Sequence, residues 1–73
     1  MNQLDLHGKR HDEVPRIFEN FIYEHMEKGT HEIEIITGNS LEMKTIIKDI
    51  AKEYGMVATE VWGNNGTLLI KLI

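Results

Sequence analysis

A chain of 73 residues, 41% hydrophobic and 27% charged, is enough for one small globular domain over residues 1–73 and too short for a second. Domains of this size bury only about 60% of the surface their unfolded chains expose, so most long apolar side chains go to packing and few remain for a deep pocket. The net charge of −4 excludes a uniformly basic coat for polyanions. The absence of cysteine excludes disulfides, thiolate zinc sites and a cysteine nucleophile, and it suits a reducing compartment. No apolar run is long enough to span a bilayer, so no membrane partner is expected. With no signal-peptide pattern at the N-terminus, the expected location is the cytoplasm.

Along the chain, residues 3–7 read as a first strand, with Leu4 and Leu6 on one face and Asp5 and His7 on the other. Gly8 ends it. The apolar set Val14, Ile17, Phe18, Phe21, Ile22 and Met26 follows helical spacing, with Asp12 as the expected N-cap, Pro15 in the first turn and Gly29 just past the C-terminus. His25 and His31 are read as surface residues. Ile33, Ile35 and Ile36 form a second strand that leads through Thr37 and Gly38 into a second helix near Ser40. Met43, Ile46, Ile47, Ile50, Ala51 and Tyr54 give that helix its apolar stripe, and Gly55 closes it. Its N-terminus offers two capping schemes, an Asn39–Glu42 capping box or Ser40 itself.

Residues 56–62 alternate as a third strand, and Thr67 to Ile73 make a fourth that is apolar on both faces apart from Lys71, which predicts a central position. The Gly63-Asn64-Asn65-Gly66 tetrad between them is the expected hairpin, supplying residues that accept positive φ. The resulting order is βαβαββ. Each helical crossover joins strands running the same way, right-handedly, so the sheet must be mixed. Two amphipathic helices cover one face of a four-stranded sheet and leave the other to solvent, a partner or a ligand. The expected class is therefore a two-layer α/β sandwich.

Two short segments carry the candidate chemistry: Leu4-Asp5-Leu6-His7-Gly8 and Thr37-Gly38-Asn39-Ser40. Each follows a strand and precedes a helix. If the two strands are parallel, both segments emerge at one sheet edge, where ligands of open α/β sheets collect. Unpaired N–H groups at two helix N-termini would make a phosphate seat there. Asp5 and His7 share a strand face, which suits general acid–base work by the imidazole with the carboxylate orienting it. A bare Asp-x-His pair also reads as two polar residues on an exposed strand.

Lys9 and Arg10 stand beside this seat with no acid in the 7–11 segment, placed to neutralise phosphate oxygens. His11 is either a second proton carrier or helix-start chemistry. Lys44, Lys48 and Lys52 recur at four-residue spacing and are read as a solvated helix face rather than a binding track. Trp62, on the strand face of Ala58 and Glu60, turns away from the helices if Val57, Thr59 and Val61 face inward. It is either a base-stacking indole or a packing plug at the sheet edge. No metal-ligand cluster is visible beyond Asp5 and His7.

The LDLHG segment resembles the L-D-x-H signature of the Smr (small MutS-related) family. Thr37-Gly38-Asn39-Ser40 stands where that family carries T-G-x-G, and Asn65-Gly66 before the last strand is similar to its C-terminal pattern. The resemblance in order and spacing extends over essentially the whole chain.

It implies a βαβαββ sheet like the C-terminal domain of bacterial translation initiation factor three, with the last strand between the second and third. It also implies nucleic-acid binding, DNA or RNA, with endonuclease activity (nicking) in several members and roles in DNA repair, recombination or ribosome rescue. Carried onto this chain, Asp5 and His7 match the family's acidic and imidazole positions, and Thr37 and Gly38 the start of its second motif; the expected roles are His7 as acid/base and Asp5 as its orienter or the ligand of a divalent metal, Mg or Mn. Gly8, Lys9, Arg10, His11, Thr37, Gly38, Asn39, Ser40 and Trp62 are the expected phosphate and nucleic-acid contacts. Ribosomal or repair proteins are the further partners implied. A non-catalytic binding module, and a monomer or weak homodimer joined through the uncovered face, are the alternatives. Ser40 departs from the family's second glycine: its side chain either obstructs a phosphate or caps the helix.

Overall fold

The computed structural model of the chain describes residues 2–72. Strands β1 (Gln3–Asp5), β2 (Glu32–Ile36), β3 (Ala58–Val61) and β4 (Asn64–Lys71) and helices α1 (Val14–Glu27) and α2 (Leu41–Glu53) follow in the order β1-α1-β2-α2-β3-β4. They form one four-stranded sheet with spatial order β1-β2-β4-β3. β1 runs parallel to β2, and β4 runs antiparallel to both β2 and β3. The mixed sheet and the insertion of the last strand between the second and third therefore stand as expected. Both crossovers, β1 to β2 and β2 to β3, connect parallel strands progressing in the same direction across the sheet. The right-handed rule then puts both helices on one face.

The core lies between that face and the helices. Leu6, Ile33, Ile35, Leu68 and Ile70 from the sheet side meet Val14, Phe18 and Ile22 of α1 and Met43, Ile47, Ile50 and Ala51 of α2. Period two on the strands and steps of three and four on the helices aim these side chains at one another. Fully burying a Phe or Ile side chain stabilises by roughly 1.5–3 kcal/mol. The uncovered face is mixed in character. Across it Glu34 stands opposite Leu69, Glu32 opposite Lys71 and Ile36 opposite Thr67. No helix among the described residues is long and apolar enough to cross a membrane.

Several boundaries and faces differ from the sequence reading. The N-cap of α1 is Glu13, without a side-chain capping bond, because the Asp12 carboxylate is held instead by the Arg10 guanidinium. Gly29 does close α1 with φ +72°, and Gly55 follows α2 with φ +76°. Of the two schemes for α2, Ser40 is the cap, its Oγ accepting the Met43 N–H at 3.0 Å. His25 is buried, not on the surface: its Nδ1 lies 2.9 Å from Thr30 Oγ1 and its ring packs on Phe21 with centroids 4.4 Å apart.

The third strand presents Ala58 and Glu60, not Val57 and Thr59, to the helices, because they pair with the buried Ile70 and Leu68. Glu60 thereby reaches Lys44 and Lys48 of α2 at 3.8 and 3.3 Å. Lys44 is consequently buried, with a side chain only 9% exposed, rather than part of a solvated lysine face. Its apolar stem covers core surface while the ammonium reaches the carboxylate.

The hairpin turn is Trp62-Gly63, with Val61 facing Asn64, so the last strand starts earlier than Thr67. Gly63 alone of the tetrad has positive φ, at +81°. The register shifts between Glu60 and Val61, leaving Asn65, Gly66 and Thr67 as a bulge without partners on β3. Ile73, the end of the predicted last strand, lies outside the described residues, as does Met1.

Candidate functional site

Because β1 and β2 are parallel and β4 antiparallel to them, the C-terminal ends of β1, β2 and β3 and the start of β4 share one sheet edge. Four chain segments converge there: residues 7–11, residues 37–40, the Trp62-Gly63 turn and the 65–67 bulge. The two junctions singled out in the sequence are thus adjacent, joined at the strand ends by the Leu6 N–H donating to the Ile36 carbonyl at 2.8 Å.

Contact between them is direct. Gly38, with φ +69°, sits beneath the imidazole of His7, and a methyl group on Gly38 would lie 3.7 Å from both the His7 Cβ and the ring Cδ2. A positive φ and a neighbouring ring together explain glycine at this position. Gly66 completes the floor. Its carbonyl accepts the N–H groups of Thr37 at 2.8 Å and Gly38 at 3.1 Å, and a Cβ on Gly66 would come within 3.5 Å of the Gly38 Cα. The buried Thr37 hydroxyl donates to the Gly38 and Gly66 carbonyls at 2.9 and 3.3 Å. Thr37 is therefore a clamp within the floor. Gly66 is a part of the site that the motif reading noted only as a C-terminal pattern. Its closeness to Gly38 depends on the inserted position of β4 and on the bulge.

Asp5 and His7 are both exposed, at 60% and 73% of their side chains. Asp5 Oδ1 accepts the main-chain N–H of His7 at 3.0 Å, which fixes the turn that ends β1. The same oxygen lies 3.8 Å from His7 Nδ1, beyond hydrogen-bond range but close enough to attract a protonated ring. The imidazole is thus held on two sides, by Gly38 below and Asp5 beside it, and remains open to a ligand.

The cations beside it are not equivalent. Arg10 donates to both Asp12 oxygens, Nε at 3.1 Å and Nη2 at 2.6 Å. This bond holds the Asp12 carboxyl below, and the Arg10 guanidinium above, their usual ranges, and nearby Glu13 pushes Arg10 further up. The expectation that Arg10 has no local acid is corrected, since the turn into α1 folds Asp12 back onto it. Lys9 forms no ion pair among the described residues. His11 Nδ1 is paired with Glu42 Oε2, linking the first loop to the first turn of α2.

Ser40 has φ −75° and ψ 113°, an extended conformation open to any residue, so serine in place of the family's second glycine introduces no strain. Its Oγ occupies the Met43 N–H. The main-chain N–H groups of Asn39, Ser40, Leu41 and Glu42 have no partner among the described residues and stand at the positive end of the helix. The Gly38 N–H, by contrast, is taken by Gly66. Trp62, at the tip of the hairpin, is 99% exposed, which rules out the packing-plug alternative. Among the described residues no three His, Asp or Glu side chains are grouped to hold a metal ion.

A mixed α/β sheet whose strand ends gather an exposed imidazole, a glycine floor and the N-terminus of a helix defines a class: a small two-layer module with its polar chemistry at one end of the sheet. The family model of the Smr domain matches residues 4–73, and the chain belongs to that family, one of nucleic-acid-binding, endonuclease-like modules. No curated protein and no solved structure matches the chain.

Proposed function

We propose that this chain is an Smr endonuclease domain that holds a nucleic-acid backbone along the rim and hydrolyses a phosphodiester at His7. The observation that carries the reading is the seating of the His7 ring on Gly38, which puts a proton carrier next to the free N–H groups of residues 39–42. A phosphate received by those donors and by Lys9 lies beside the imidazole.

His7 then acts as general base. It takes a proton from the attacking hydroxyl or water as the new P–O bond forms, and the leaving oxygen departs with a proton returned from the imidazolium or from solvent. Lys9 and the helix N–H groups stabilise the charge that builds on the phosphoryl oxygens. Asp5 positions the ring through the His7 main chain. Gly8 lets the chain turn away with φ +83°, leaving the rim clear. His11 fastens the first loop to α2 through Glu42.

One observation favours a second reading, a module that binds without cutting: Ser40 Oγ satisfies an N–H of the α2 first turn that a phosphate would otherwise receive. Cleavage assays on DNA and RNA with wild type and His7→Ala separate the two. General acid–base catalysis of this kind contributes roughly 10²–10⁴-fold. The endonuclease reading expects a loss of that order in His7→Ala with binding retained. Equal cutting by the variant would remove His7 from the reaction, and no cutting by either protein would leave the binding module.

A further inference from the structure

We infer that Trp62 is a stacking platform for an unpaired base, which makes single-stranded nucleic acid, or a single-stranded segment beside a duplex, the substrate class of this rim. The inference rests on the rim being the nucleic-acid site.

Trp62 is the only tryptophan in the chain, and its side chain is 99% exposed although the core of so small a domain needs apolar area. The turn that bears it is built to present it. Two residues, Trp62 and Gly63, connect β3 to β4, Gly63 takes the positive φ, and just beyond the turn Asn64 Oδ1 accepts the Gly66 N–H at 3.1 Å. The tip is therefore anchored to the same glycine floor that supports His7.

The surroundings decide which partner fits. Gly63, Asn64 and Asn65 beside Trp62 in the hairpin are polar or bare; of the other exposed large apolar side chains, Tyr23 and Met26 lie on α1, Val57 lies ahead of β3, and Leu41 begins α2 in a separate segment of the rim. A lone flat ring among hydrogen-bonding groups is not the contiguous apolar patch that marks a protein-docking face. It matches one flat base. Paired bases inside a duplex hide their faces, whereas unpaired ones offer them to aromatic side chains in a sequence-tolerant way.

The span is also suitable. β1 and β3 are the two edges of the four-stranded sheet, so His7 and Trp62 are separated by three strand spacings, about 14 Å. At a stacked rise of 3.4 Å this is about four nucleotide steps, or fewer in an extended strand. One strand can thus stack on Trp62 while a phosphate several residues along it reaches His7.

The test is tryptophan fluorescence, since the signal comes from Trp62 alone, titrated with single-stranded DNA and RNA oligomers of graded length and with a blunt duplex. Quenching by single strands, with weak or no response to the duplex, is expected. So is an affinity for single strands reduced roughly 5- to 150-fold in Trp62→Ala and largely retained in Trp62→Phe. Trp62 is exposed, so both variants should keep the wild-type fold, checked by circular dichroism. Equal quenching by the duplex, or wild-type affinity in Trp62→Ala, overturns the inference. An indole that answers to no oligomer overturns it as well and points to a protein contact instead. His7→Ala serves as the separating control. If it quenches normally while neither it nor wild type cuts, the platform stands and the catalytic reading falls. If wild type cuts single strands and Trp62→Ala cuts and binds them equally well, the platform falls and the catalytic reading stands.

Discussion

Gly38→Ala probes the site and its supporting backbone at once. The residue has φ +69°, where an L side chain costs about 1–2 kcal/mol. The new methyl would meet His7 at 3.7 Å, an ordinary contact, so sterics add little to that cost. For a domain of this size, 1 kcal/mol corresponds to about 4–8 °C, so Tm should fall by about 4–16 °C. Gly29→Ala is the matched control. It has φ +72° with nothing within 4 Å and closes α1 far from the rim, so it should lose a similar amount of stability. The two should part in function. Only Gly38→Ala fills the space beside the imidazole, so at a temperature where both variants are folded it alone should lose cleavage and weaken oligomer binding. Thermal denaturation followed by circular dichroism, with cleavage and binding measured well below both midpoints, makes the comparison. If both variants lose stability equally and both act like wild type, the glycine floor under His7 has no part in the site.

The remaining expectations concern the cations, the cap and acid pH. Lys9→Ala should weaken oligomer binding and reduce the salt dependence of log K by about 0.7–0.9, as expected for one lost phosphate contact; an unchanged slope would place Lys9 off the backbone path. Asp12→Asn weakens the hold on the Arg10 guanidinium, so binding at low salt should tighten, as filter binding or anisotropy would show. Ser40→Gly releases the Met43 N–H at a cost of only a few tenths of a kcal/mol. It should raise phosphate affinity or cutting, whereas Ser40→Ala should cost about 1 kcal/mol of stability, read from urea denaturation.

On acidification, the Asp12 and Glu24 carboxyls, held below their ordinary values by Arg10 and Lys28, contribute stability that is present above those values of 3.8 and 4.5 and is lost as pH falls through the lowered ones. Because both are exposed the effect should be small. In an acid titration of Tm, Asp12→Asn should flatten the lowest part of the curve.

Local pattern and chain order were enough for the elements. The alternation of Leu4 with Leu6, the stripes through Phe18 and Ile47 and the glycines after each helix reflect side-chain periodicity and backbone sterics, which act over a few residues. The βαβαββ order with right-handed crossovers then limited the sheet to few arrangements, and it brought the segments around His7 and Gly38 to one edge. What neighbours in sequence could not decide was settled by pairing across the sheet. The bulge in β4 moved the turn to Trp62-Gly63 and brought Gly66 against Gly38, a contact made across 28 residues. The same register turned Glu60 toward α2, burying Lys44. Arg10 found Asp12, and His25 found Thr30, through the particular path of a loop. Such details depend on which surfaces end up facing one another once the strands are in register, and that is a property of the assembled sheet rather than of any short stretch of residues.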